Sequence, residues 1–176
     1  MEIRVKRHPY FEPLFQFNPL TPLKVVVTDP RVHEFGLPKI QTVGSAGLDL
    51  RAFWGPEESG PRYKTLTPGE QFMADTGLKI WIDAPGFVGM LYPRSSMGIK
   101  GLVLGNGTGV IDSDYQGPLK LCLFNRSKQD ITIELGERVA QLVIMPVVTG
   151  YDIEVLNEFP STTERGEGGF GHTGKQ

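Results

Sequence analysis

From Leu23 onward the chain alternates short apolar runs with small and polar residues. The runs LKVVVTD, GLKIWI, FVGMLY, GLVLG, LKLCLF, ITIEL, RVAQLVIMPVV and YDIEVL are rich in Val, Ile and aromatic side chains. DAPG, YPRSS, GNGTG, YQGP and TGYD fall between them. Such runs, punctuated by Gly, Pro, Asn and Asp, predict strands joined by turns. Helical spacing of apolar residues is sustained nowhere, and only RVAQLVIM is ambiguous between helix and strand. Many short strands without a repeat predict an all-β single domain, a distorted jelly roll of the β-clip kind.

Two flanks break the pattern. Residues 1–22 are rich in Pro and aromatics (Tyr10, Phe11, Phe15, Phe17) and read as an extension to a β domain over 23–159. Residues 160–176 end in ERGEGGFGHTGKQ, where Phe170 is the only large apolar side chain. A glycine-rich segment loses much entropy on ordering and buries little, so a flexible tail is expected. An arginine and an aromatic set among those glycines raise a second reading, a lid that closes over a ligand.

Length and charge narrow the function. At 176 residues the chain is one domain, large enough to bury roughly two-thirds of its unfolded surface. A formal charge of −2 gives no global field to recruit nucleic acid or an acidic membrane. Positive charge for an anionic ligand must therefore be concentrated locally. The single cysteine, Cys122, excludes an internal disulfide and a cysteine metal cluster. No apolar run reaches the length of a membrane span, and MEIRVKRHPYFEPLFQF lacks the continuous apolar core of a secretory signal. A soluble, cytoplasmic protein is expected.

Four segments carry candidate chemistry. LGNGTGVIDSDYQG has glycines spaced GxGxG and no helix pattern after them, which argues against a dinucleotide fingerprint. It reads as a β-hairpin whose second strand, VIDSDY, puts Asp112 and Asp114 on one face and Ser113 and Tyr115 on the other. Two carboxylates there fit a general base, a metal site or a solvated face. YPRSSMG offers Arg94 with Ser95 and Ser96 in a Pro/Gly-bounded turn, a set suited to phosphate oxygens. No GxxxxGK[ST] loop occurs. SAGLDLRA places Asp49 on a strand opposite Leu48 and Leu50, and GERVAQLVIMPV has Gln141 as the polar exception in an apolar strand.

Together and in this order, SAGLDL, PRSSMG, GNGTGVIDSDYQG, GERVAQLV and RGEGGFGHTG resemble the five motifs of the trimeric dUTP pyrophosphatases (dUTPases). The resemblance spans about Leu23 to Gln176. It implies a homotrimer with active sites at subunit boundaries and Mg²⁺-dependent hydrolysis of dUTP to dUMP and pyrophosphate. That activity limits dUTP and supplies dUMP for thymidylate synthesis. Asp112 matches the family's water-activating carboxylate, a choice that spacing alone leaves open against Asp114. Asn106 and the backbone at Val110, Ile111 and Lys120 match the uracil contacts, and Tyr115 the residue lying against the deoxyribose. Arg94, Ser95, Ser96 and Gln141 match the phosphate contacts. Asp49 and Gln141 would reach Mg²⁺ through water, with no direct protein ligand. Arg165 would meet the γ-phosphate and Phe170 would stack on uracil. Ser96 departs from the family's common glycine, and residues 1–22 lie outside the resemblance.

The related dCTP deaminases share an RSS motif but need a glutamate to move protons at the pyrimidine C4. Cys122 stands at that place here, and Ile99 stands near the position of the deaminase arginine. A second rival, the same fold used only for binding, is at odds with a chain that keeps both the base and the full tail.

Overall fold

The computed structural model describes residues 22–56, 60–150 and 152–169. Ten strands follow in order: β1 (Lys24–Val27), β2 (Gly47–Arg51), β3 (Tyr63–Leu66), β4 (Gln71–Trp81), β5 (Phe87–Pro93), β6 (Leu102–Leu104), β7 (Gly109–Ile111), β8 (Pro118–Asn125), β9 (Ile131–Glu134) and β10 (Arg138–Pro146). Two short helices, α1 (Arg31–Phe35) and α2 (Ser95–Lys100), complete the described elements. One sheet has the order β1-β4-β8-β6, a second β2-β10-β5-β7, and β3 pairs with β9 as a ribbon. Among the described residues no strand pairs with its neighbour in sequence, and each connection between consecutive strands passes from one sheet to another. The described architecture is thus all-β, two four-stranded sheets and a two-stranded ribbon.

Alternation explains where the core sits. In β8, Leu119, Leu121 and Leu123 are buried while Pro118 and Lys120 are exposed. Ile131 and Ile133 of β9 do the same. They meet Leu50 of β2, Leu91 of β5 and Leu142 of β10 in one apolar cluster between the sheets. Strands whose inner positions are leucine and isoleucine and whose outer positions are polar can pack only this way round. Asn125 is the one fully buried amide of that strand. Its Nδ2 donates to the carbonyls of Leu66 (2.8 Å) and Gln129 (2.7 Å), and its Oδ1 accepts from the Ser127 N–H (2.9 Å) and hydroxyl (2.7 Å).

Several local expectations are corrected. Strands β6 and β7 do not form a hairpin: β6 pairs with β8 and β7 with β5. The GNGT segment is therefore an arch between sheets, held where the Gly105 N–H donates to the Cys122 carbonyl (2.7 Å). The strand expected over VIDSDY stops at Ile111. Asp112–Tyr115 turns instead, with the Tyr115 N–H donating to the Asp112 carbonyl (3.2 Å), as Asp- and Ser-rich segments favour. The two-face placement of Asp112 and Asp114 therefore does not hold. RSSMG forms the first turns of α2, not an open turn. YDIEVL forms no strand over its described residues. Ile153 and Val155 are 89% and 90% exposed, and a β pattern without a neighbouring strand gains no ladder. RVAQLVIM resolves as strand β10, and YKTL, which is not among the apolar runs, forms β3.

Candidate active site

Three of the motif segments meet on the second sheet. In β10, Gln141 lies opposite Asp49 of β2 on one side and opposite Tyr92 of β5 on the other. Arg94 follows directly after β5. Its guanidinium Nε sits 2.8 Å from Asp49 Oδ1. On the other carboxylate oxygen, Arg138 Nη1 donates to Oδ2 at 2.9 Å. Gln141 Nε2 donates to the Pro93 carbonyl (3.2 Å), which leaves its Oε1 as an acceptor. That side chain fits because position 47 is glycine: a Cβ there would lie 3.3 Å from the Gln141 Cβ and collide with its Oε1. Ser45, Gly47, Asp49, Arg94, Ser95 and Gln141 line one open cavity of about 360 Å³.

Helix α2 carries both serines, of which Ser95 lines the cavity. Arg94 is its N-cap in an extended conformation, and its carbonyl accepts from Met97 (3.0 Å) and Gly98 (2.9 Å). Met97 is buried and anchors the helix, while Ser95 and Ser96 remain exposed on its first turn. The first N–H groups of a helix have no intrahelical partner, so hydroxyls and backbone donors face outward together.

Two further arginines, Arg51 and Arg138, belong to the site. Asp49 and Arg51 are two apart on β2, so strand alternation places both on the face opposite Leu50; the signal was present in LDLR. Arg51 lies opposite Arg138 in the sheet and donates from Nη1 to the Gly136 carbonyl (2.7 Å). Partial burial holds its pKa below the ordinary arginine value, with Arg138 and Arg94 adding to the effect and Asp49 opposing it. One carboxylate thus serves a cluster of three guanidiniums. The excess positive charge that the whole chain lacks is concentrated here. Beyond Asp49 the surface deepens into a cavity of about 560 Å³ bounded by Phe35, Arg51, Phe53 and Arg138.

The second set of residues surrounds the arch and the turn that follows β7. Val110 is exposed, and Ile111 is partly so. Asn106 is exposed at the tip of the arch, where its Nδ2 lies 3.5 Å from the Thr108 carbonyl. Lys120 projects from the outer side of β8, opposite Asp75 in the ladder. Tyr115 donates its hydroxyl to the Pro118 carbonyl (3.1 Å), which lays the ring back over Gly117. Asp112 and Asp114 are both exposed in the turn.

Within one chain these two sets stay apart. Ile111 pairs with Gly89, and Gly89 precedes Arg94 by five residues of extended strand. At about 3.4 Å per residue that is roughly 17 Å. Asp112 therefore lies at the opposite end of the sheet from Arg94, and the structure of a single chain does not join them.

Comparison with known proteins decides the family. The dUTPase family model matches residues 33–174. The chain belongs to the dUTPase family. A deoxyuridine 5'-triphosphate nucleotidohydrolase from Actinobacillus pleuropneumoniae serotype 3 is 50% identical over 152 residues, covering 85% of this chain and 95% of the relative. One from Pseudomonas fluorescens is 47% identical over 154 residues, covering 86% and 97%. Among solved structures, the dUTPase of Staphylococcus bacteriophage 80alpha with dUPNHPP superposes with a TM-score of 0.73 at 28% identity, covering 88% of this chain and 99% of that one.

Against this family background the tail has a definite but local structure. The Gly166 N–H donates to the Thr163 carbonyl (3.0 Å) and the Gly168 N–H to the Arg165 carbonyl (3.1 Å). Arg165 is exposed, and its Nε donates to the Gly168 carbonyl (2.8 Å), so its guanidinium is turned onto its own segment. Phe170 lies outside the described residues, as do residues 1–21 of the extension. Among the described residues no three His, Cys, Asp or Glu side chains gather as a metal site. No described helix is long and apolar enough to cross a membrane.

Proposed function

We propose that this dUTPase-family chain hydrolyses dUTP to dUMP and pyrophosphate in sites completed by neighbouring copies of a homotrimer. The separation of Asp112 from Arg94 carries the reading. A general base must lie within hydrogen-bond reach of the water it activates, about 3 Å, and the phosphate receiving that water must lie against the arginine. A gap of roughly 17 Å within one chain cannot satisfy both. The Asp112 turn of one copy, set against the Asp49–Arg94–Gln141 cavity of another, does. The 80alpha phage relative was solved with dUPNHPP, and the curated relatives bear the name of this activity.

Asp112 accepts a proton from water as the water oxygen bonds to the α-phosphorus. The bond from that phosphorus to the α,β-bridging oxygen breaks, and pyrophosphate departs in line. Positioning and charge neutralisation dominate such a reaction. Arg94 binds phosphate oxygens, with the Ser95 and Ser96 hydroxyls and Gln141 Oε1 nearby. Asn106 and the backbone of Val110, Ile111 and Lys120 receive the uracil edge. Tyr115 lies against the deoxyribose and excludes a 2′-hydroxyl. In this reading Arg165 meets the γ-phosphate and Phe170 stacks on the base.

The donor set fits Mg²⁺ carried by the triphosphate. Asp49 already shares its oxygens with two arginines, and Gln141 offers one neutral oxygen, so both suit water-mediated contact better than direct ligation. Mg²⁺ keeps several waters and binds through substrate phosphates. Bound there, it neutralises charge on the triphosphate. A free nucleoside triphosphate as substrate also implies work inside the cell.

The experiment is incubation with dUTP, dCTP, dTTP and UTP plus Mg²⁺, scoring pyrophosphate, ammonia and monophosphate separately. Pyrophosphate and dUMP from dUTP alone support the reading. Ammonia from dCTP, or nucleotide binding without turnover, would replace it.

A further inference from the structure

Asp83 is the one non-glycine residue with positive φ (+51°) among the described residues. A side chain in that region is disfavoured, though Asp tolerates it better than most. Strain of this kind persists where surrounding contacts over-determine it. Asp83 lies in the β4–β5 connection, which passes from the first sheet to the second. The β7–β8 connection, residues 112–117, passes back between the strands beside them, since β7 pairs with β5 and β8 with β4. The two connections therefore run side by side at one end of the molecule. A backbone hydrogen bond ties them: the Asp83 N–H donates to the Ser113 carbonyl at 3.0 Å. Ser113 is the residue directly after Asp112.

The Asp83 side chain fixes the other side of the connection. It pairs with Lys24 of β1, whose ammonium also lies 4.0 Å above the Trp81 ring. Lys24 and Trp81 face each other in the β1–β4 ladder. A chain of contacts thus runs from the edge strand through Lys24 and Asp83 to the turn bearing Asp112.

We propose that Asp83 is a positioning residue for the reaction. Its left-handed backbone directs an N–H at the Ser113 carbonyl and so sets the direction of the Asp112 carboxylate toward the neighbouring copy. This rests on Asp112 as the base. Glycine and asparagine adopt positive φ more readily than alanine, and β-branched valine adopts it least, so the backbone requirement separates from the carboxylate.

The test measures kcat and KM for dUTP in Asp83→Asn, Asp83→Val and Asp83→Ala, each also placed on an Asp112→Asn background. Asp83→Ala is the milder change in the same direction and keeps the comparison intact if the valine variant does not fold. Asp83→Asn should retain kcat within about twofold. Asp83→Val and Asp83→Ala should lower kcat by tenfold or more with KM within about threefold, since phosphate binding is untouched. On the Asp112→Asn background the same substitutions should lower kcat no further, because a residue acting through Asp112 has nothing left to position. Asparagine and alanine variants behaving alike, or full additivity with Asp112→Asn, would overturn the proposal. An Asp112→Asn enzyme with near-normal kcat would instead remove the reading of the base on which it rests.

Discussion

Gly117 leaves open the space that the Tyr115 ring occupies: a Cβ on Gly117 would lie 2.5 Å from the ring's Cζ and closer still to its hydroxyl. Hydrogen bonding to the Pro118 carbonyl holds the ring there. Real Cβ atoms do not approach so closely, so Gly117→Ala must displace Tyr115. If that ring excludes the ribose 2′-hydroxyl, displacement relaxes sugar discrimination. The ratio of kcat/KM for dUTP over UTP should fall by about tenfold in Gly117→Ala, on the scale of a single lost steric contact. An unchanged ratio would separate Tyr115 from sugar recognition.

Asp49 and Arg138 give a second prediction. Removing Arg138 takes away the ion pair on Asp49 Oδ2 and lets the carboxylate draw more strongly on the Arg94 guanidinium. Arg138→Ala should raise KM for dUTP by about tenfold while dUMP affinity changes little, because charge around the triphosphate is what is lost. Arg138→Lys should recover only part of this, since an ammonium lacks the planar fork. Equal effects on dUTP and dUMP would show that Arg138 only supports the fold.

The two carboxylates of the turn should differ. Asp112→Asn should keep dUTP binding within about tenfold while turnover falls about 10²-fold or more. Asp114→Asn should be mild. Burial does not distinguish them, since both are exposed. Similar losses in the two variants would reopen the assignment.

Stability should depend on pH through Asp29. Hydrogen bonding from the Arg31 side chain, chiefly, holds its pKa below the ordinary carboxylate value. Arg31 is itself buried, with its Nη2 2.6 Å from Asp29 Oδ2. A depressed folded-state pKa contributes stability that is present above the unfolded-state value and is lost as pH falls through the folded one. Asp29→Asn should therefore lower stability by about 2 kcal/mol near neutrality. The gap in Tm between wild type and variant should close on acidification below the ordinary aspartate range. A gap independent of pH would mean the loss is one of packing.

Much of this was legible in the sequence. The strands β5, β8 and β9 and their inward leucine and isoleucine side chains follow from alternation, and a period of two survives in any context that buries one face. What failed was pairing. GLVLG and GVI look like a hairpin because they are adjacent with glycines between, yet each finds its partner in a different sheet. Register and sheet membership depend on non-local contacts that local spacing does not encode. YDIEVL failed for the same reason: its alternation is sound, but no strand of the same chain lies beside its described residues. In the site, Asp49 and Gln141 were visible as polar residues in apolar strands, and Arg94 as the arginine of a Pro/Gly-bounded turn. Arg138 and Arg51 were hidden because a charged residue near a strand end is usually a solvated one. Their role depends on β2 and β10 being neighbours.

In the proposed trimer each active site takes Arg94 from one chain and Asp112 from another. The direct measurement mixes Arg94→Ala chains with Asp112→Asn chains, dissociates and reassembles them, and assays dUTP hydrolysis against each variant alone. In randomly mixed trimers about one quarter of sites would combine an intact Arg94 with an intact Asp112, so about one quarter of wild-type activity should return. Activity no greater than the mean of the two separate variants would show that a single chain builds its own site, and would contradict the account.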